Sequence, residues 1–360
     1  MISKPITYLV ISDLHLGKGN LTPRLISNGK HYLTNSKFTT LDILYIAGDG
    51  FDKLLDANTE VYNQAMSFLS FIVKFCTKYN IKLRYLEGTT LHDWNQAEVL
   101  YNIIQTLDLA VDFKYISSIH IEYFTKYNLY TLYIPDNMYV DANDTYRDVK
   151  VLMGNLGITK VDNVIIHGQF NFQLPIIHKS SHNESDYINI TNGFIHTGHI
   201  HTSKIYKTII GNGSLDRLSH GEEEKKGGYL ISWVPNKLPT YDFIVNRSAI
   251  IFKTIWLKDK AISDIYKRLD KIIYSSPISS HYRLKLKTNN DLLKDIEKDI
   301  KKRYKDYHIK VEKEKGKEEI IEEVEDNIEI VDITSSNIME VLLKDIPTIP
   351  YIKEELQNCM

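Results

Sequence analysis

Two cysteines in 360 residues leave nothing to build a disulfide framework from. Cys76 and Cys359 lie far apart and without metal-type spacing, which points to a reducing compartment. No apolar run approaches the ~18 residues of a membrane-spanning helix, and the chain opens on no charged segment with a small-residue cleavage site. A soluble, cytoplasmic protein with no membrane partner is therefore expected. Charge of either sign is also not in excess. Forty-four Lys and Arg face 46 Asp and Glu, a formal charge of -2, so contact with nucleic acid would have to come from local basic patches. No internal repeat at solenoid periods is visible.

What the chain has is a series of short apolar runs with reactive residues at their ends. At 360 residues it is long enough for two domains, a catalytic one and an appendage. Ile6 to Ile11, Leu41 to Ala47 and Ile81 to Leu86 read as strands, with a helical pattern from Val61 to Lys78 between the last two. Val161 to Ile166 and Phe194 to Ile200 continue an α/β alternation. Ser203 to Ile210, Tyr229 to Val234 and Tyr241 to Val245 read as further strands, so two layered sheets are expected over residues 1–246. Residues 247–312 read as a small β-α-β-α-β domain, 313–332 as a charged linker and 333–360 as a helical tail interrupted by Pro347 and Pro350. An apolar helical tail beyond an acidic linker suits docking to a partner.

Five of the runs end on metal-ligating residue types: Asp13 and His15, Asp49, the stretch to His92 and Asp93, His167, and the pair His199 and His201. In open α/β sheets, ligand sites form just past the carboxyl ends of the strands. Hard divalent cations that activate water for phosphoester cleavage take carboxylates and neutral imidazoles. A carboxylate such as Asp49 suits bridging two ions about 3.5 to 4 Å apart. In Gly198-His199-Ile200-His201 the two imidazoles would alternate along a strand and face one side.

Asp13-Leu14-His15, Gly48-Asp49-Gly50-Phe51-Asp52, Gly88 to His92-Asp93, His167-Gly168 and Gly198-His199-Ile200-His201 resemble the signature of calcineurin-like metallophosphoesterases. Gly213-Ser214-Leu215-Asp216-Arg217-Leu218, followed by Gly221-Glu222-Glu223 and Lys225-Lys226-Gly227-Gly228-Tyr229, resembles the segment after the metal histidines in SbcD-type DNA repair nucleases. The resemblance implies a four-layer αββα sandwich, with the 247–312 region as a DNA-capping domain. It implies two divalent ions, manganese or alternatively magnesium. One would be held by Asp13, His15, Asp49 and His201, the other by Asp49, His167 and His199. It further implies hydrolysis of DNA phosphodiesters in recombination and repair by a metal-activated water, with His92 as the acid at the leaving 3' oxygen and Asp93 orienting His92. The implied partners are DNA, an SbcC-like coiled-coil ATPase bound through the tail, and a second copy in a homodimer. The other readings of the scaffold are a phosphatase or cyclic nucleotide phosphodiesterase, and a catalytically weakened scaffold. The abundance of Ile, Lys, Asn and Tyr suggests an AT-rich genome, as in a phage or virus, which would place the protein in the host cytoplasm.

The chain departs from that family in one motif. Where Gly-Asn-His-Asp is usual, it has Gly88-Thr89-Thr90-Leu91-His92-Asp93, and Leu91 cannot ligate a metal. Thr89, Thr90 or a backbone carbonyl could take the place of the missing Asn. Arg217, Asn20 and His178 are the candidate substrate contacts, Asp52 a candidate second layer of support, and His196 a core residue.

Overall fold

In the computed structural model, which describes residues 5–136, 140–234, 237–257, 262–286 and 290–313, most apolar runs become strands joined by amphipathic helices. The strands of the larger region are β1 (Ile6–Ile11), β2 (Ile43–Ala47), β3 (Lys82–Leu86), β4 (Phe113–Ile116), β5 (His120–Phe124), β6 (Leu129–Ile134), β7 (Asn163–His167), β8 (Ile195–Gly198), β9 (Lys204–Tyr206), β10 (Ile209–Gly211), β11 (Gly227–Trp233) and β12 (Thr240–Val245). Its helices are α1 (Thr22–Leu33), α2 (Glu60–Tyr79), α3 (Thr90–Asp93), α4 (Val99–Thr106), α5 (Ala142–Asn155) and α6 (Glu184–Asn189). They form a mixed α/β fold with two six-stranded sheets, ordered β12-β11-β1-β2-β3-β4 and β5-β6-β7-β8-β10-β9.

The alternation of side chains along each strand explains the layers. Leu9, Ile11, Leu44 and Ile46 pack against Leu33 of α1 and Phe68, Leu69 and Ile72 of α2. Their neighbours Tyr8, Val10, Ile43 and Tyr45 point the other way and meet Tyr133 and Ile165 of the second sheet. Leu132, Ile134, Val164 and Ile166 then face Val149 and Met153 of α5 and Tyr187 of α6. Helices thus cover the outer face of each sheet, and strands with both faces covered read as the continuous apolar runs seen in the sequence. At the sheet edges, Arg84 of β3 grips Glu122 of β5 with two hydrogen bonds of 2.8 and 2.9 Å, nearly out of water.

The central strands β1, β2, β3 and β4 run parallel, as do β6, β7 and β8. Their carboxyl ends therefore gather at one edge of each sheet. Two local readings are corrected here. The run Phe194 to Ile200 is a strand only to Gly198, whose α-carbon lies so close to β2 that a Cβ would meet the Ala47 carbonyl at 2.2 Å. Ser203 to Ile210 is not one strand but the antiparallel pair β9 and β10, reversed at Lys207 with φ 52°.

A third sheet is separate. β13 (Phe252–Leu257), β14 (His281–Leu286) and β15 (His308–Lys313) are all parallel, crossed over by α7 (Ile262–Ile273) and α8 (Asn290–Arg303). Ile255, Leu269, Ile273, Tyr282, Leu284 and Tyr304 give it a core of its own. Of the expected linker, only Lys313 lies in the described part, as the last residue of β15; the remaining linker residues and the tail of residues 333–360 lie outside the described residues. Among the described residues, no helix is long and apolar enough to cross a membrane.

Candidate metal centre

Four ionisable side chains leave the strand ends through backbone turned into the left-handed region: Asp13 (φ 53°), His15 (φ 47°), Asp49 (φ 49°) and His199 (φ 93°). Such residues cost roughly 1 to 3 kcal/mol each and persist where the surroundings over-determine them. Here the turns after β1 and β2 lock together. Asp13 N–H donates to the Gly48 carbonyl at 3.1 Å, His15 N–H to Asp49 at 3.1 Å and Leu16 N–H to Gly50 at 2.9 Å. The missing side chain of Gly48 makes room for the His167 ring, since a Cβ there would lie 2.1 Å from Nδ1.

These turns bring the side chains into three overlapping groups. The donor atoms of Asp13, His15 and His201 converge within 4.8 Å of one another, as do those of Asp49, His167 and His199, and those of His15, Asp49 and His92. Asp49 therefore links the ends of the constellation, with Oδ2 3.8 Å from His15 Nε2 and Oδ1 3.2 Å from His167 Nε2. Asp13, His15, Asp49 and His167 are almost wholly buried.

Hydrogen bonds on the far side of each ring decide which nitrogen faces inward. His15 Nδ1 meets the Asp52 carboxylate at 3.1 Å, and His201 Nδ1 meets Glu222 at 3.2 Å. Carboxylates only accept, so both imidazoles donate there and turn bare Nε2 atoms inward. Those two Nε2 atoms lie 3.0 Å apart. His167 repeats the pattern. Its Nδ1 donates to the Ala47 carbonyl at 2.7 Å, while Nε2 is buried without an aligned hydrogen bond although Asp49 Oδ1 is 3.2 Å away. Lone pairs facing lone pairs are reconciled by a proton or a metal cation between them. The residues present thus fit divalent cations.

The electrostatics agree. Burial pushes the Asp49 carboxyl up, but the neighbouring His167 and His15 more than reverse this and hold it well below the usual carboxylate range. Asp52, also pushed up by burial, is held down to about 2 by the hydrogen bonds of His15 and Lys18. Glu222 is pushed up by burial and pulled down to about 2 by His201 and Lys226. Both supporting carboxylates are anionic at neutral pH. His196, by contrast, is fully buried between Tyr8 and Phe194 and is pushed down to about 3 by burial, so it is a neutral core residue.

His92 sits in the single turn of α3. Its Nδ1 donates to the Asp52 carbonyl at 2.8 Å, leaving Nε2 toward His15 and Asp49. Asp93 does not orient it. The Asp93 carboxylate is buried on the opposite side, accepting from Gly88 N–H at 2.7 Å and Phe51 N–H at 3.0 Å, and burial pushes it up to about 7. It therefore clamps the turn after β3 to the turn after β2.

The three candidate substrate contacts lie elsewhere. Arg217 spends its guanidinium on the carbonyls of Ile250 and Glu224, at 3.0 and 2.6 Å, joining the two regions of the chain. Asn20 lines a cavity of about 360 Å³ between α1 and the third sheet with Arg24, Ser27, Ile250 and His281. His178 is exposed on the loop before α6, where its backbone N–H meets Ser181. Nor do His199 and His201 share a strand face. They lie in a loop beyond β8, and His199 joins the Asp49 and His167 group while His201 joins that of Asp13 and His15.

Two contributors, Glu222 and Asp136, escaped the sequence reading, and a third, Thr89, was one of several alternatives for the missing Asn. Glu222 was visible only as part of a motif, with no role attached. Asp136, two residues past β6, follows the same strand-end rule as the ligands but comes after Pro135 and lacks a histidine beside it. Thr89 lies among Asp49, Asp136 and His199. These contacts single it out from Thr90 among the alternatives the motif offered.

No family model matches the chain, and no curated protein does. A solved structure from Thermus thermophilus, TT1561, is similar with a TM-score of 0.39 and 10% identity, over 64% of this chain and 99% of that one. Another crystal structure gives a TM-score of 0.41 and 11% identity over 66% of this chain and 99% of that one.

Proposed function

We propose that the chain is a two-metal phosphoesterase of the calcineurin-like type, acting on DNA as an SbcD-like nuclease. The observation that carries this is the run of three overlapping donor groups, linked through His15 and Asp49, with imidazole nitrogens turned into it. Two divalent cations, when bound, supply Lewis-acid polarisation of the phosphoryl group and a more acidic water. Asp49, between the groups, fixes their spacing. Asp52 and Glu222 keep His15 and His201 in one tautomer, so no reorganisation is needed when the substrate arrives. His92, anchored by its Nδ1–H, presents Nε2 toward His15 and Asp49, and as the imidazolium, with a second proton on Nε2, it can hand that proton to a departing oxygen.

A polynucleotide is favoured over a small phosphomonoester by what borders His92. Trp94 is 45% exposed and Leu91 70% exposed, and the indole N–H donates to the Leu91 carbonyl at 2.8 Å. An exposed aromatic beside the reacting phosphate offers a face on which a base can stack. In this reading residues 333–360 dock an SbcC-like ATPase, and deleting them abolishes that binding while leaving the nuclease fold.

The test is manganese-dependent degradation of linear and single-stranded DNA by the purified chain beside its Asp49→Asn variant. Degradation by the wild type alone is expected. Equal degradation by both would assign the activity to a contaminant, and turnover of phosphomonoesters or cyclic nucleotides far above DNA would move the reading to a phosphatase or small-molecule phosphodiesterase.

A further inference from the structure

The Asp49, His167 and His199 group provides three protein donors, whereas hard divalent cations fill about six positions. Thr89 stands inside this group. Its backbone N–H donates to Asp49 Oδ1 at 2.6 Å, which pins the residue. Its hydroxyl oxygen is 3.4 Å from Asp49 Oδ2, 3.4 Å from His199 Nδ1 and 3.1 Å from Asp136 Oδ2. A hydroxyl has one proton and two lone pairs. The shortest contact, to Asp136, takes the proton, and the lone pairs are left for the interior of the group.

We infer that Thr89 Oγ1 is a fourth protein ligand of the ion held by Asp49, His167 and His199, and that Asp136 is its positioning residue. The inference rests on the two-ion reading above. Asp136 reaches this place because β6 runs parallel to β7, with Ile134 opposite Ile166, so the chain two residues beyond β6 arrives beside His167. A carboxylate behind a neutral oxygen donor orients it and makes it more basic, as it does for a ligating imidazole. Thr90, the next residue, begins α3.

The experiment measures manganese binding to the full chain by titration calorimetry and by metal content after dialysis at fixed free manganese. It uses the wild type, Thr89→Val, Thr89→Ser and Asp136→Asn. Valine keeps the shape and the backbone N–H but removes the oxygen; serine keeps the oxygen. Thr89→Val is expected to weaken one of two ions by roughly 10 to 100-fold and leave the other unchanged, Thr89→Ser to stay within about threefold, and Asp136→Asn to lie between. Wild-type binding of both ions by Thr89→Val overturns the inference, and so does equal weakening by serine and valine. A wild-type chain that binds fewer than two ions overturns the two-ion reading itself. If valine unfolds the chain, shown by loss of its circular dichroism signal, the serine and Asp136→Asn comparison decides alone: a wild-type second ion in Asp136→Asn counts against the role of Asp136.

Discussion

The two halves of the centre are supported differently. On one side, His15 and His201 each have a carboxylate behind the ring, Asp52 and Glu222, both held anionic. On the other, His167 leans on a backbone carbonyl, and His199 has Thr89 at 3.4 Å and its own N–H bound to the Asp13 carboxylate at 3.0 Å. A carboxylate raises the basicity of the imidazole in front of it more than a neutral carbonyl does. Under the two-ion proposal, the difference implies that the half with His15 and His201 holds its ion more tightly than the half with His167 and His199, and metal uptake is expected in two steps.

Asp49 lies between the halves, near both His15 and His167, so its replacement is the strongest way to erase the contrast. Asp49→Asn is expected to reduce DNA cleavage to background and to abolish the second step of a manganese titration; two intact steps would break the comparison. His92 belongs to neither half as a holder of metal. His92→Asn is expected to slow cleavage by roughly 10² to 10⁴-fold with metal content unchanged, checked by single-turnover rates and elemental analysis. Glu222→Gln sharpens the comparison directly, because it weakens only the imidazole of His201. Its ion should bind roughly 10 to 100-fold less tightly, while the other keeps its affinity.

The smallest effect concerns the segment behind His201. Asp216 is buried, accepts from Asn28 and from the N–H groups of Arg217 and Ile250, and is pushed up to about 6, chiefly by burial. Its folded state holds the proton more tightly than the unfolded chain does. The contribution to stability is therefore full below about pH 4 and is lost as pH rises to about 6, at most ~3 kcal/mol. Asp216→Asn should flatten the melting temperature between pH 4 and 6. An unchanged slope would show that another group carries it.

The strand ends were legible because buried parallel strands leave unbroken apolar runs, and Asp13, His15, Asp49, His167, His199 and His201 follow them directly. The roles of Asp93 and Arg217 were not. A carboxylate next to a catalytic histidine and an arginine in a nuclease-like motif look alike whether they face the substrate or backbone N–H and carbonyl groups, and only the turn geometry separates these cases. Period-two reasoning failed at His199 because Gly198 ends the strand at its contact with β2. Asp136 was invisible, and Thr89 could not be told from Thr90, because each becomes informative only beside residues far away in sequence.

The stretch from Gly213 to Lys226 supplies none of the candidate ligands, yet two structures hang from it. Ser214 N–H and the Lys226 ammonium hold the His201 carbonyl at 3.0 and 2.9 Å, while Asp216 and Arg217 grip both backbone groups of Ile250 at the entry to the third sheet. A systematic mutational scan would consequently score this stretch as nearly as intolerant as the ligands. Damaging substitutions in it would fall into two kinds, those at Ser214 or Lys226 loosening the grip on a histidine and those at Asp216 or Arg217 the mooring of a domain.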